Sequence, residues 1–213
     1  MSKAQAFLSL PKIIILVMII SATLITSLFV FHLRNPKQPI NLSNDKGMLF
    51  PFARDIKPFE LATENASFTQ NNFRNHWTLL FFGFTHCSSI CPITLAMLNR
   101  AYDNLHKMYP DLQVVLVSLD PERDTPSVLN HYARSFNQNF IGVSGKIQAI
   151  RKLQSQFGIY SNRDDASSNY QIQHTSSIML INKEGKWAGL YQYGMTPNEM
   201  TIAFKESMNK LIQ

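Results

Sequence analysis

The sequence has little cysteine, glycine or charge, and each shortage excludes a class of protein. Its 213 residues include two cysteines, too few for a disulfide-rich miniprotein or a four-cysteine zinc site. Eight glycines exclude a collagen-like chain, and a 45% hydrophobic content excludes a wholly disordered one. Residues 1–34 contain basic residues but no acidic one, so they account for part of the net charge of +6. The rest of the chain has no run of basic residues. Nucleic acid is therefore not an expected partner.

One apolar segment is long enough to cross a membrane. Residues 13–31 carry no charge, and at about 1.5 Å per residue a helix of that length spans roughly 28 Å, close to the hydrocarbon core of about 30 Å. A cleaved signal peptide is the alternative, but its apolar region is usually about 7–15 residues and ends in small residues. We therefore predict a short tail over 1–12 and an uncleaved transmembrane anchor over 13–31. Basic residues flank the anchor almost equally, so charge does not set its orientation.

The remaining chain predicts a spacer followed by one folded domain. Residues 32–58 contain four prolines among polar residues, and proline removes a backbone donor, so this segment is predicted to be a spacer. Residues 59–213 alternate between strand and helix patterns. Continuous apolar runs over 77–84 and 112–119 indicate strands buried on both faces of a sheet.

Later segments of the domain complete the predicted fold. Strands over 176–181 and 186–191 form a hairpin, because Glu184-Gly185 suits a tight turn. The polar segment 161–169 is predicted to be a surface insertion. One helix is predicted with Pro92 near its first turn, two others to begin at Pro126 and Pro197, and a further one over 146–157. This order of strands and helices along the chain predicts an α/β thioredoxin-like sandwich, a central mixed sheet flanked by helices, with an N-terminal transmembrane helix.

Chemically reactive residues concentrate where the first buried strand ends, in the segment GFTHCSSICP. Cys87 and Cys91 lie four residues apart at a strand-to-helix turn, so helical geometry places their Cα atoms roughly 6 Å apart. This distance suits a disulfide and also lets two thiolates hold one soft metal ion. The helix N-terminus should lower the thiol pKa values, that of Cys87 most directly. A structural disulfide or two inert core thiols remain the alternatives.

Three motifs in this order resemble the Sco/SenC family, the membrane-tethered, thioredoxin-fold copper chaperones of cytochrome c oxidase assembly. The motifs are WTLLFFGFTHCSSICPITL, VSLDPERDTP and HTSSIMLINKEG, and the resemblance covers roughly residues 59–211. It implies that Cys87, Cys91 and His174 bind copper. The soft Cu(I) ion prefers thiolates and accepts imidazole, which agrees with that ligand set.

The chain departs from the family pattern beside the expected ligands. The family usually has Pro-Asp between the cysteines, where this chain has Ser88-Ser89, and its distal histidine commonly follows an acid, where this chain has Gln173. Both differences remove an acid from the expected partner surface. His86 is a candidate for a fourth ligand, but it adjoins Cys87 on an extended backbone and is expected to pack or to line the mouth of the site.

The family's aspartate loop falls on Asp120, Arg123 and Asp124. Asp120 either bonds amides in its own turn or places a carboxylate near the metal, where a hard oxygen would favour Cu(II) over Cu(I). Arg123 and Asp124 are predicted to form a local ion pair or cap.

Two functions are compatible with these residues. In the first, the chain is a metallochaperone rather than an enzyme. It holds one copper per chain, as Cu(I) with Cu(II) left open, and delivers it to an apo subunit of cytochrome c oxidase, while a thiol reductant keeps the cysteines reduced. In the second, Cys87 and Cys91 catalyse thiol–disulfide exchange, which does not require His174. The resemblance implies a single-pass protein of an inner membrane, with its C-terminal domain on the outer face.

Overall fold

The computed structural model describes residues 10–34, 38–43, 45–163 and 170–212, which belong to two compact units, Met1–Gln38 and Pro39–Gln213. In the first unit, helix α1 (Leu10–Arg34) contains the segment Ile13–Phe31, which is long and apolar enough to cross a membrane. The hydroxyl groups of Ser21, Thr23 and Thr26 each donate to a carbonyl oxygen of the preceding turn at 2.9 Å. This bonding lets an apolar helix carry hydroxyls without unsatisfied donors. Most of the predicted tail over 1–12 lies outside the described residues.

A mixed sheet forms the centre of the second unit. In spatial order its described strands are β1 (Ile40–Asn41), β2 (Gly47–Arg54), β11 (Trp187–Tyr191), β10 (Ile178–Ile181), β5 (Trp77–Gly83), β6 (Leu112–Ser118) and β7 (Phe140–Val143). The last three strands in this order run parallel, and the other pairs are antiparallel. Every residue of β5 and β6 is buried, as their continuous apolar sequences predict.

The helices of this unit cover both faces of the sheet. They are α2 (Ile90–Met108), α3 (Pro126–Phe136), α4 (Ile147–Gln156) and α5 (Pro197–Leu211). Gly83 faces Cys91 of α2, whereas the ring of its neighbour Phe82 packs 6.0 Å from that of Phe157 at the end of α4. Because successive strand residues point to opposite faces, α2 and α4 lie on opposite sides of the sheet.

Helix boundaries follow local signals that are visible in the sequence. The side chains of Thr125 and Thr196 accept from backbone amides in the first turns of α3 and α5, and a proline follows each of them. Gly158, at a φ of 63°, ends α4 in the left-handed conformation that glycine adopts without strain. The helix starts that were predicted at Pro126 and Pro197 are confirmed.

The predicted spacer over 32–58 is wrong for the part that forms β1 and β2. The proline that argued against a strand, Pro51, lies where β2 leaves regular pairing: Gly189 pairs with Leu49, while Trp187 pairs with Arg54. Proline is tolerated in such an irregular stretch because no ladder hydrogen bond needs its missing donor. The folded unit therefore begins well before residue 59.

Two small antiparallel pairs lie outside the main sheet. Strand β3 (Glu60–Ala62) pairs with β4 (Ser67–Thr69), which a short 3-10 helix follows, and β8 (Ser161–Arg163) pairs with β9 (Ile172–His174). The predicted surface insertion over 161–169 therefore begins as a strand. The rest of that insertion, residues 164–169, lies outside the described residues.

Candidate metal centre

Three side chains from two distant parts of the chain meet at one end of the sheet. The Sγ atoms of Cys87 and Cys91 and a ring nitrogen of His174 all lie within 4.8 Å of one another. The Sγ of Cys91 is 3.7 Å from Nε2 of His174. Since a metal–sulfur bond is about 2.3 Å long, one ion placed among these atoms can contact all three after small adjustments.

The cysteines are placed by the turn from β5 to α2. Cys87 lies in the turn and is half-buried, and Cys91 lies in the first turn of α2 and is buried. The backbone N–H of Cys91 donates to Sγ of Cys87 at 3.3 Å. A Cβ atom at Gly83 would lie 3.0 Å from Sγ of Cys91, so this glycine leaves the space that the inner sulfur occupies.

His174 ends β9 and presents one defined nitrogen to the cysteines. Its Nδ1 lies 2.9 Å from the carbonyl oxygen of Thr175. A carbonyl oxygen only accepts, so Nδ1 carries the proton and the neutral ring leaves the lone pair of Nε2 available to a metal. The rings of Phe81 and Phe84 pack against the imidazole with centroids 6.1 Å away.

The two thiols differ strongly in acidity. A hydrogen bond from the Cys91 thiol is the largest effect that lowers the pKa of Cys87 to about 4, and hydrogen bonds from the backbone amides of Cys91 and Ser89 add to it against the opposing effect of burial. The hydrogen bond to Cys87, together with burial, raises the pKa of Cys91 above its ordinary value. The apo site therefore holds a thiolate at Cys87 and a thiol at Cys91.

Alkylation should reveal this asymmetry. We expect iodoacetamide to modify Cys87 at a rate that is constant around neutral pH and falls with a midpoint near pH 4, where the thiolate becomes protonated. Cys91 should stay unmodified. In Cys91→Ala the midpoint should move up towards the ordinary thiol value of about 8.5. Mass spectrometry of quenched time points gives both rates, and a midpoint near 8.5 in the parent chain would contradict the assignment.

Among the described residues no further histidine, cysteine or carboxylate joins this group within ligand distance. His86 is exposed, its Nδ1 lies 2.9 Å from Oγ1 of Thr85, and it is not among the grouped ligand atoms. Ser88, Ser89 and Gln173 are exposed and uncharged. A site of two sulfurs and one nitrogen suits a soft metal ion in low coordination better than Zn²⁺, which prefers four ligands.

Asp120 is engaged by side chains other than the three candidate ligands. Its carboxylate accepts from Nε of Arg123 and, at 2.7 Å, from the hydroxyl of Tyr170. The predicted pair between Arg123 and Asp124 is therefore wrong, because Arg123 pairs with Asp120 instead. Asp120 is not a ligand candidate within the group described above.

Asp124 is a residue whose role sequence reasoning missed. It is fully buried and accepts from the backbone N–H of Thr85 at 3.2 Å, from the hydroxyl of Thr85 at 2.5 Å and from that of Ser118 at 2.9 Å. Burial raises its pKa, and these hydrogen bonds oppose the rise. Asp124 thereby fixes the residue two positions before Cys87.

Comparisons with known proteins agree with the site and the fold. The SCO1/SenC family model matches residues 51–209. A SCO2-like protein of Rickettsia prowazekii is 32% identical over 209 residues, which cover 92% of this chain and 97% of that protein. The crystal structure of Arabidopsis thaliana ScoI with copper bound is 28% identical with a TM-score of 0.69, over 72% of this chain and 98% of that one. Bradyrhizobium japonicum ScoI with copper bound gives 29% identity and a TM-score of 0.64, over 71% and 98%. The predicted thioredoxin-like fold is confirmed.

Proposed function

Since this chain belongs to the SCO1/SenC family, we propose that it is a membrane-anchored chaperone that carries copper to cytochrome c oxidase during assembly of that enzyme. The observation that carries the proposal is the convergence of Cys87, Cys91 and His174 within 4.8 Å. The two copper-bound relatives support copper as the cargo.

Helix α1 is the proposed anchor, in an inner membrane with the C-terminal unit on the outer face. A C-terminal reporter active only in the cytoplasm would contradict this placement.

The ligand chemistry suits a carrier that must release its metal. Cu(I) favours thiolates, and the thiolate at Cys87 gives the incoming ion a charged first contact. Binding then requires Cys91 to lose its proton, while the neutral Nε2 of His174 adds a donor without adding charge. With three ligands the ion stays open to attack by a thiolate or imidazole of the receiving protein. Transfer then proceeds by exchange of one ligand at a time.

A Cu(I) titration of the reduced full chain in detergent, without oxygen and against a chromogenic chelator, tests the proposal. We expect one tightly bound copper per chain, and loss of that copper in Cys87→Ser/Cys91→Ser, because a serine hydroxyl is a poor ligand for a soft ion. Ser88→Ala/Ser89→Ala is the matched control, since it changes two exposed residues between the cysteines and should keep the stoichiometry. Equal binding by the parent and the serine variant would refute the ligand set.

Delivery requires a second measurement. The loaded chain is mixed with the copper-free subunit of cytochrome c oxidase that carries the copper site, and the copper in each protein is measured after separation. We expect copper to leave the chain only when that subunit's ligands are intact. If the copper stays bound, or if it leaves equally for a subunit whose copper ligands have been replaced, the chain binds copper but does not deliver it to this subunit.

The unequal thiol pKa values favour a second candidate, a thiol–disulfide oxidoreductase. The thiolate of Cys87 would attack a partner disulfide and release one partner thiolate, and Cys91 would then displace the second partner sulfur and close a Cys87–Cys91 disulfide. The chain is oxidised and the partner reduced by two electrons. This activity should survive replacement of His174, whereas tight copper binding should not.

A further inference from the structure

We propose that Arg123 is a positioning residue for His174, acting through a stack of side chains that fixes the strand carrying this ligand. The inference rests on the proposed function, because it assigns Arg123 a role in the copper affinity that His174 provides. The side chains are Asp120, Arg123, Arg163 and Tyr170, here called the Tyr170 clamp. Its members lie outside the group of candidate ligand atoms, so they act on the metal only through position.

The first half of the clamp joins Tyr170 to the loop that follows β6. The guanidinium carbon of Arg123 lies 3.6 Å from the centroid of the Tyr170 ring, and Nη2 of the same group donates to the Tyr170 carbonyl oxygen at 3.2 Å. Nε of Arg123 donates to one carboxylate oxygen of Asp120, and the Tyr170 hydroxyl donates to the other at 2.7 Å. Three side chains thus close a ring of contacts that holds both the backbone and the aromatic group of Tyr170.

The second half of the clamp comes from β8, the strand that pairs with β9. The guanidinium carbon of Arg163, the last residue of β8, lies 4.3 Å from the same ring, and Nη1 of Arg163 donates to Oε2 of Glu122 at 2.7 Å. A tyrosine ring between two guanidinium groups gains cation–π attraction from each. The end of β8 at Arg163 and the residue two positions before β9, Tyr170, are therefore both attached to the loop over 120–124.

The hairpin is what carries His174 to the cysteines. Tyr170 stands four residues before His174, and Ser161 of β8 pairs with His174 directly. The side chain of Gln171 also donates to the carbonyl oxygen of His86 at 3.1 Å. Since Nε2 of His174 already lies 3.7 Å from Sγ of Cys91, a small displacement of β9 would remove the nitrogen from ligand distance. Groups that orient a metal ligand typically change affinity 10–100-fold when they are removed.

The geometry requires arginine at position 123. One planar guanidinium stacks on the ring, pairs with a carboxylate and donates to a carbonyl oxygen at once, which a lysine ammonium cannot do. The Arg123 side chain is only 18% exposed, so these contacts are shielded from competing water.

Cu(I) competition titrations of the full chain in detergent test the proposal through a double-mutant cycle. We expect Arg123→Ala to weaken Cu(I) binding 10–100-fold, Arg123→Lys to recover part of the loss, and Tyr170→Phe to have a smaller effect because it keeps the ring. In a His174→Ala background, Arg123→Ala should change the affinity by less than about threefold, because the ligand that it positions is gone. The reduction potential of the Cys87–Cys91 pair should stay unchanged in Arg123→Ala.

A matched control and thermal unfolding separate this role from general damage. Arg151 is exposed and lines a groove of about 630 Å³ together with Asp120 and Arg163, but it makes no contact with Tyr170 in the clamp described above, so Arg151→Ala should keep the parent affinity. If Arg123→Ala weakens binding equally with and without His174, or has no effect, the positioning role is refuted while the ligand set stands. If His174→Ala itself leaves the affinity unchanged, His174 is not a ligand and the positioning role of Arg123 fails with it, while the cysteine variants still test copper binding. Should Arg123→Ala not fold, Arg123→Lys and Tyr170→Phe carry the same cycle.

Discussion

Replacement of His174 by alanine should weaken Cu(I) binding at least roughly 100-fold while the chain stays folded. The substitution removes the nitrogen donor and leaves two sulfurs, and the loss of a ligand should exceed the 10–100-fold effect of losing a group that only orients one. The imidazole packs beside two aromatic rings but is only partly buried, so truncation should cost little stability. The measurement is Cu(I) competition against a chelator of known affinity.

The same variant should leave the Cys87–Cys91 reduction potential within about 30 mV of the parent value, which corresponds to a tenfold change in the exchange constant. His131→Ala is the matched control, because this histidine is exposed on α3. It should alter neither copper affinity nor potential. Parent-like copper affinity in His174→Ala would remove the histidine from the ligand set. A large shift in potential would show instead that its main role concerns the dithiol.

The second large effect is expected at Asp124. Asp124→Ala removes an acceptor that a backbone amide and two hydroxyls share, and it leaves the buried Ser118 hydroxyl and the partly buried donors of Thr85 without this partner. Each such loss costs about 1–3 kcal/mol, so we expect the free energy of unfolding to fall by about 3 kcal/mol. Because Thr85 is released, the loop before Cys87 should also lose its fixed geometry, and copper affinity should fall with stability. Urea unfolding followed by tryptophan fluorescence measures the first effect.

Asp124→Asn separates the hydrogen bonds from the charge. An asparagine has the same shape and can still accept from Thr85 through its oxygen, while the Ser118 hydroxyl can rotate to accept from the amide nitrogen. We expect this variant to lose no more than about 1 kcal/mol. If both variants lose the same amount, the negative charge rather than the acceptor geometry stabilises the turn.

Much of the fold could be predicted because its signals are local. The buried strands over 77–84 and 112–119 needed only their apolar runs, and Thr125-Pro126 marked a helix start. Strand β2 escaped prediction because Pro51 lies within it, and the sequence does not show that the strand leaves regular pairing there. Strand β8 is short and polar, so its pairing with β9 comes from position and not from hydrophobicity.

The candidate site also contains some residues whose role local sequence signals predict and others whose role only the fold decides. The spacing of Cys87 and Cys91 indicated a reactive or metal-binding pair from elementary geometry. His174 was expected as a ligand only through family resemblance, since nothing local distinguishes it from other histidines. Asp120 and Asp124 flank the same arginine, and only the fold decides that Asp120 pairs with Arg123 while Asp124 is buried under Thr85.

The sequence distance between the proposed ligands has a mechanical consequence. Cys91 and His174 are 83 positions apart, and the segment between them includes strands β6 and β7 of the main sheet, most of α2, and helices α3 and α4. An ion held by both residues is a crosslink that closes this segment into a loop, comparable to a disulfide that exists only while cargo is present. Bound copper would suppress separation of the β8–β9 pair, which carries His174, from the cysteines by mass action, and release of the copper would allow that separation again. A protease cutting within that hairpin would therefore distinguish a loaded carrier from an empty one.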